Sequence, residues 1–416
     1  MPRIAVLGAG ITGVTTAYLL NQAGHDVTVV DRQLYPAMDT SYANGGQLSA
    51  SNAEVWNQVS TLAKGLRWMF QRDAPLLLNP LPSWHKYAWL GEFLWAVRKY
   101  RSNTIATTRM AIEARQHLYA MAESEGIDFD LQQRGILHFY HDKAGFEAAA
   151  RGNALLREGG LQRHAVTAEE IRRIEPTLQG RYYGGYYTPS DATGDIHKFT
   201  RGLARACERH GVRFMHGREI MGLDFGGPGV QARLAPLDAG TGRLLDEQET
   251  LQADAVVICA GVGSRRLAAM AGDRLNVYPV KGYSITVHLD DEASVQGAPW
   301  TSLLDERAKI VTSRLGRERF RVAGTAEFNG ENRDIRADRI APLLRWTRAN
   351  FRMDTSRVVP WAGLRPMMPD MMPRVQRGKR RGVYYNTGHG HLGWTLSAAT
   401  AAGLAGLLQA DLAPKL

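Results

Sequence analysis

Only two cysteines, Cys207 and Cys259, occur in 416 residues. Two thiols cannot build a disulfide framework, and the scarcity fits a reducing, cytosol-facing setting; Cys259, inside an apolar run, reads as an inert core thiol. A membrane-spanning helix needs roughly 18 or more consecutive apolar residues. None is found: the nearest candidate, 396–408, is short and diluted by Ser397, Thr400 and small residues. Met1-Pro2-Arg3 leads directly into Ile4-Ala5-Val6-Leu7, too short a run for a secretory signal, so neither a leader nor a span is expected. H-E-x-x-H, C-x-x-C and G-x-S-x-G are all missing, which leaves zinc-hydrolase and serine-hydrolase readings without an anchor. No metal site is expected. His389 and His391 would point to opposite sides of an extended segment, and they read as loop histidines facing a ligand. Repeats of fixed period and low-complexity tracts are absent too.

What remains is composed like a globular protein, 44% hydrophobic and 22% charged, with room for two domains or one large one with insertions. The formal charge of +10 suits acidic partners: nucleic acid, anionic lipid or carboxylate substrates. Glycine is in surplus, 43 residues against a usual share of about 7%, and its placement is informative. Ile4–Leu7 reads as a buried strand, followed by the G-x-G-x-x-G turn Gly8-Ala9-Gly10-Ile11-Thr12-Gly13. A helix over 14–22 and a strand over 26–30 ending at Asp31 come next. Gly8 allows the tight turn, Gly10 admits a pyrophosphate, and Gly13 lets the helix lie close on the sheet. Asp31 is placed to accept ribose hydroxyl hydrogen bonds; beside Arg32 it still disfavours a 2′-phosphate. NAD and FAD both satisfy this motif.

Helical patterns dominate from 47 to 160, with a strand at 135–140 and tryptophan concentrated at Trp56, Trp68, Trp84, Trp89 and Trp95. A helix start at Thr167, a helix over 198–210, a strand over 212–216 and β runs near 220–225 and 230–237 precede one continuous strand over 253–259. The stretch 277–330 alternates with period two and reads as a mixed or antiparallel sheet, followed by a helix over 339–351. The last 35 residues repeat the opening grammar: strand 383–386, glycine-rich turn 388–393, small-residue helix. The run Arg377–Arg381 reads as a solvated turn.

Six segments carry a family likeness. The opening, with Val29-Val30-Asp31-Arg32, resembles the FAD-binding start of the D-amino-acid oxidase and glycine oxidase superfamily. Thr40-Ser41-Tyr42-Ala43-Asn44-Gly45-Gly46-Gln47, Tyr278–Val287, Gly363-Leu364-Arg365-Pro366-Met367-Met368-Pro369-Asp370 and Asn386–Thr395, along with Trp68–Leu76, are similar to the small subunits of bacterial D-amino-acid dehydrogenases. His391 stands where relatives commonly have a smaller residue, and Ala308 where they often carry tyrosine.

The resemblance implies FAD, held by Gly8 to Gly13, Asp31, Arg32, Ser41, Asn44, Gly45, Gly46, Gln47, Leu48, Ala260, Gly261 and Arg365. Gly388, His389, Gly390, His391, Leu392, Gly393, Trp394 and Thr395 complete that set. Small residues in 41–47 would let the backbone approach the isoalloxazine, and the start of the last helix would face the ring edge that becomes anionic on reduction. Arg365 is implied as the bidentate anchor of a substrate α-carboxylate. His197 and Lys309 are weaker pocket-lining candidates, and Tyr283 would sit at the edge of the substrate sheet. The implied reaction passes a hydride from Cα of a neutral-amine D-amino acid to FAD, and water converts the imino acid to a 2-oxo acid and ammonia. No dedicated base is demanded, and no His–Asp pair is evident.

The expected fold class is α/β: a discontinuous Rossmann-like FAD-binding domain (1–50, 165–272, 358–416) and a mixed/antiparallel-sheet substrate domain (51–164, 273–357). Within it, the insertion 55–101 sets seven basic residues, Lys64, Arg67, Arg72, Lys86, Arg98, Lys99 and Arg101, against Asp73 and Glu92. Basic side chains beside Trp, Phe and Leu suit an interfacial contact with anionic lipid, where a membrane quinone or another acceptor could reoxidise the flavin; a lid over the active site is the other reading. Peripheral attachment to the cytoplasmic face of the inner membrane is therefore expected, and nucleic acid is not. Rival readings are an oxidase or imino-acid dehydrogenase of the same superfamily, a flavoprotein of RNA modification, and a flavin-bearing subunit that needs a partner.

Overall fold

A computed structural model describes residues 1–58 and 76–412. Trp68, the similarity segment as far as Pro75, and Lys64, Arg67, Arg72 and Asp73 lie outside the described residues. The apolar β-branched runs at both ends of the chain meet in one six-stranded sheet. Its order is Arg374–Arg377, Val383–Thr387, Ala255–Ile258, Arg3–Leu7, Asp26–Val30 and Arg213–Met215. All neighbours are parallel except the first pair. Ile4–Leu7 and Ala255–Ile258 are buried throughout, as strands covered on both faces must be. The helix Ile11–Gln22 lies against the terminal helix Gly393–Leu412, whose small residues permit the approach. Asn386 Nδ2, on the strand Val383–Thr387, donates to Thr16 Oγ1 of the first helix at 2.9 Å.

The expected continuous strand over 253–259 is in fact two. Asp254 accepts the Arg3 backbone N–H at 2.7 Å. Before it, Glu249–Ala253 joins a three-stranded antiparallel sheet with Val230–Pro236 and Arg218–Asp224; after it, Ala255–Ile258 enters the parallel sheet. Ala253 and Ala255 on either side of Asp254 are both buried, so apolar pattern alone does not mark the exchange.

The second large sheet has nine strands. Along its path run Val358–Met367, Tyr278–His288, Arg319–Phe328, Ile310–Leu315, Ser302–Asp305, Ile136–Tyr140, Gly184–Thr188 and His164–Thr167, and Leu76–Leu78 pairs with Arg319–Phe328. Pairing is mostly antiparallel, so the mixed sheet expected for 277–330 is present and larger. It also draws on residues assigned to the nucleotide-binding unit: 165–167, Gly184–Thr188 and Val358–Met367 belong here. Backbone pairing across long sequence separations, which local pattern does not report, moves those boundaries.

Helix ends follow capping chemistry. Thr167 and Glu170 form a capping box for Ala168–Ile174, and Asp195 caps Ile196–Arg209, two residues before the expected start. Between the sheets' crossovers stand Trp84–Trp95, the 26-residue helix Tyr100–Glu125 and Lys143–Glu158, the helices anticipated between 47 and 160. Arg377 pairs with Asp411 at 2.6 Å, at the edge of the turn anticipated there.

Candidate active site

The walls of a cavity of about 1100 Å³ come from both large sheets. At one end the strand Arg3–Leu7 stops at Gly8, whose φ of +118° only glycine adopts readily. A Cβ there would come within 2.6 Å of the Cys259 carbonyl oxygen, and one on Gly13 would overlap the Gly8 carbonyl. The helix N-terminus is thereby pressed onto the strand end, with Gly10, Ile11 and Thr12 lining the cavity. Gly13 does its work by packing and is not on the wall. Neither is Ala9, whose N–H goes to Asp31 Oδ2 at 2.5 Å. Asp31 also accepts the Gln33 N–H at 2.7 Å. Burial outweighs both bonds and pushes its carboxyl up to about 6. Arg32 lines the cavity and pairs with Glu219 at 3.4 Å. Ala260 and Gly261 complete this end.

The loop 41–47 runs between the two sheets. Ser41 Oγ accepts the Ile11 N–H at 3.0 Å. Arg321 Nη1 donates to the Asn44 carbonyl (3.1 Å), Ser313 Oγ to the Gly45 carbonyl (2.6 Å) and Ser284 Oγ to the Ala43 carbonyl (2.7 Å). Asn44 Oδ1 accepts the Gly46 N–H, and Gln47 Nε2 donates to Ser302 Oγ at 2.7 Å. A Cβ on Gly45 or Gly46 would press on Val311 or Ser313 at 3.0–3.1 Å, so small residues are needed where backbone is clamped to sheet. Leu48 differs from expectation: its side chain points into the core beneath the nucleotide sheet.

From the other end of the chain come Gly388, His389, Gly390, His391, Leu392, Gly393, Trp394 and Thr395, all on the wall. Gly388 and Gly390 have positive φ, and a tight turn at Gly390–Leu392 replaces the extended segment expected. The two histidines part company. His389 turns inward to Thr400 Oγ1 (2.9 Å), and burial lowers its pKa to about 3, so it presents only backbone to a ligand. His391 faces the cavity, donates Nε2–H to the Asn52 carbonyl at 3.2 Å and stacks on Trp56 at 4.8 Å. Burial lowers it to about 4, with Arg365 contributing. Leu392 and Trp394 point their side chains into hydrophobic clusters.

Arg365 stands on Val358–Met367 beside Tyr278–His288, and its guanidinium lies over Gly282, where any Cβ would overlap it. Nη1 donates to the Thr325 carbonyl at 3.1 Å. Among the described residues no carboxylate pairs with it, and burial alone lowers its pKa to about 10. A desolvated fork without an anion, opening onto a cavity, is suited to an incoming carboxylate. Tyr283, next to Gly282, also lines the cavity, and its ring packs in the hydrophobic cluster of the second sheet. Its hydroxyl donates to Glu327 Oε2 at 2.8 Å, and its strand is interior to the sheet, so the expected edge position is wrong. His197 is not on the cavity wall; its ring meets Tyr35 and Tyr42 edge-on at the start of Ile196–Arg209.

Lys309 does line the cavity, in company not foreseen. Its Nζ lies 2.5 Å from Glu306 Oε2, while Glu306 Oε1 meets His138 Nδ1 at 3.1 Å and His138 Nε2 meets Ser51 Oγ at 3.1 Å. Burial works to raise the Glu306 carboxyl; Lys309 and His138 outweigh it and hold it well below the carboxylate range. Burial, with Arg163, lowers His138 to about 4. His141 and Asp305 form a second pair at 3.1 Å, so the expectation of no His–acid pair does not hold.

This arrangement fits FAD. The glycine cradle, the helix N-terminus and Asp31 match an adenosine diphosphate; the clamped 41–47 loop and the 388–395 turn bound the space left for a flat ring, with Arg365 beyond it. A family model described as FAD dependent oxidoreductase, DAO, matches residues 3–407. The chain is 60% identical to D-amino acid dehydrogenase 3 of Mesorhizobium japonicum, over 99% of this chain and 98% of that protein. It is 41% identical to a D-amino acid dehydrogenase of Paramagnetospirillum magneticum, over 99% and 94%. Among solved structures, glycine oxidase from Geobacillus kaustophilus shares the fold with a TM-score of 0.73 at 20% identity, covering 100% of this chain and 98% of that one. From both ends of the chain to the cavity they enclose, this polypeptide belongs to the DAO family of FAD-dependent oxidoreductases.

Proposed function

We propose that the chain catalyses the oxidative deamination of D-amino acids to 2-oxo acids and ammonia, with electrons leaving to a membrane quinone or another respiratory acceptor. The observation that carries this reading is the Arg365 guanidinium, desolvated and without an anionic partner at the edge of the flavin cavity. The names of the relatives supply the substrate class. Arg365 holds the α-carboxylate by two parallel N–H···O bonds, and the Thr325 carbonyl fixes the fork's plane. Gly282 keeps that plane clear. Bound FAD supplies the acceptor for the Cα hydride. The N-terminus of Gly393–Leu412 places its backbone N–H groups toward the region where negative charge gathers. His391 and Trp56, stacked over one wall, exclude water from the reacting carbon. Anaerobic mixing with a panel of D- and L-amino acids tests the reading. D-enantiomers should bleach the flavin and yield 2-oxo acid; bleaching only by glycine, sarcosine or L-proline would overturn it.

Acceptor and location are part of the same proposal. Among the described residues no helix is long and apolar enough to cross a membrane. The tryptophans of the basic insertion divide by role. Trp56 is at the cavity, and Trp89 is core, donating Nε1–H to the Met367 carbonyl at 2.8 Å. Trp84 and Trp95 are 85% and 61% exposed, near Leu81, Tyr87 and Leu94, and the Arg98 guanidinium sits 3.1 Å from the Trp95 ring centre. Exposed aromatics with basic neighbours support peripheral docking on anionic lipid at the cytoplasmic face of the inner membrane. Replacing Trp84 and Trp95 by serine should abolish co-sedimentation with phosphatidylglycerol vesicles; undiminished binding would contradict the docking.

A further inference from the structure

Hydride loss from Cα requires a neutral amine, whereas an amino acid carries an ammonium at neutral pH. The cavity therefore has a proton to remove, and this inference rests on the D-amino-acid reading above. Arg365 cannot take it, and Lys309 is already committed to Glu306. One chain of hydrogen bonds among the described cavity residues joins the wall beside the 41–47 loop to a carboxylate–lysine pair. It runs Ser49 Oγ to Ser51 Oγ (3.1 Å), Ser51 Oγ to His138 Nε2 (3.1 Å), His138 Nδ1 to Glu306 Oε1 (3.1 Å) and Glu306 Oε2 to Lys309 Nζ (2.5 Å). All five residues line the cavity.

The direction of each bond follows from the ends. A carboxylate only accepts, so Nδ1–H of His138 donates to Glu306 and Nε2 presents its lone pair. Ser51 O–H then donates to Nε2, with the buried Asp191 carboxylate as the competing acceptor of the same hydroxyl, and Ser51 Oγ accepts from Ser49, whose own oxygen takes the Asn52 N–H at 3.1 Å. The turn carrying these serines is rigid. Buried Asp191 accepts the Ala50 and Ser51 N–H groups at 3.0 Å each and is paired with Arg115. Around His138 stand Glu306 and Lys309 from the turn after Ser302–Asp305, Arg163 from the segment before His164–Thr167 and Tyr140 from its own strand. Tyr186 from the paired strand, and Glu54 beyond the serine turn, complete the set. At the far end the Glu306 and Lys309 side chains are 23% and 48% exposed.

We propose that Ser51, His138 and Glu306 form a proton relay that deprotonates the substrate ammonium. Ser51 Oγ takes a proton from the substrate nitrogen as its own hydroxyl proton passes to His138 Nε2. One N–H bond breaks, one Nε2–H bond forms, and the electron pair stays on the substrate nitrogen. The imidazolium is held against the Glu306 carboxylate, which Lys309 keeps ionised, and gives its proton to water when product leaves the cavity. Burial keeps the resting imidazole neutral, so its Nε2 lone pair is available, and the Glu306 carboxylate beside Nδ1 offsets part of the cost of protonating it. His138 and Glu306 act through Ser51, as positioning residues.

The test is anaerobic stopped-flow reduction of the FAD-loaded enzyme by D-alanine across pH, in wild type, Ser51→Ala, His138→Gln and Glu306→Gln. Ser51→Ala leaves the His138–Glu306 pair in place, and Ser51→Thr restores the hydroxyl. At neutral pH, loss of the relay should slow reduction on the order of a hundredfold. The deficit should close by about tenfold per pH unit until the free amine predominates, and Ser51→Thr should recover the wild-type profile. Parallel pH profiles, or a loss of rate equal at every pH, would overturn the relay alone. A wild-type enzyme that D-alanine does not bleach at any pH would overturn both the relay and the function it rests on.

Discussion

Replacing Arg365 by methionine separates the anchor from any structural role. In the ligand-free protein its guanidinium gives one hydrogen bond, to the Thr325 carbonyl, and has no carboxylate partner among the described residues. An unpaired desolvated cation adds nothing to folding, and a well-packed apolar side chain of similar reach is neutral or stabilising. Thermal unfolding of the Arg365→Met holoprotein should therefore match or exceed wild type. With a substrate carboxylate in place the balance reverses. Removing one partner of such a pair costs about 3–5 kcal/mol. At about 1.36 kcal/mol per decade, that is on the order of a hundred- to a thousandfold in kcat/KM. Steady-state kinetics with an artificial acceptor, beside melting curves and flavin content, reads both. Near-normal kcat/KM, or a loss of activity that merely tracks a fall in melting temperature, would refute the assignment.

Two further perturbations follow from the same cavity. Gly282→Ala would push its Cβ into the Arg365 guanidinium; because only the flexible end of a side chain must move, the flavin should stay bound while kcat/KM falls about tenfold or more. Retained kcat/KM in the alanine variant would contradict the geometry. Asp31 bears on pH. Its folded pKa, about 6, exceeds the ordinary value of 3.8, so the folded state holds the proton more tightly. Stability of the FAD-free protein is then greatest below the ordinary pKa and is lost as pH rises through 6, by at most about 3 kcal/mol. Asp31→Asn should flatten that part of the profile, and FAD, whose ribose hydroxyls favour the carboxylate, should bind wild type more tightly above pH 6 than below it. Identical pH profiles for the two proteins would exclude a role for Asp31.

Local chemistry made the nucleotide end legible, because Gly8, Gly10 and Gly13 each answer to a steric demand that neighbouring residues reveal. The same holds for Thr167 and Glu170, whose capping box is a four-residue affair. What depended on distant pairing was hidden. Ile136–Tyr140 is buried throughout, so His138 shows no alternation to single it out, and its partner Glu306 is brought beside it only because Ser302–Asp305 pairs parallel to that strand. The break at Asp254 and the transfer of Val358–Met367 to the second sheet are likewise decisions of sheet pairing. Tyr283 was placed at an edge because the pairing of Val358–Met367 outside its strand is a long-range one, and His389 was misplaced because a tight turn replaced an extended segment. A regular His138–acid spacing in sequence would have exposed the relay; none exists, since 168 residues separate its members.

The most direct test is to follow the flavin's visible absorbance anaerobically while the purified yellow protein meets D-alanine carrying either hydrogen or deuterium at Cα. The proposed function predicts bleaching by the D-enantiomer only, slower with deuterium by a primary isotope effect, and release of pyruvate and ammonia. A colourless protein that takes up no FAD, or a flavin that a D-amino acid leaves oxidised, would contradict it.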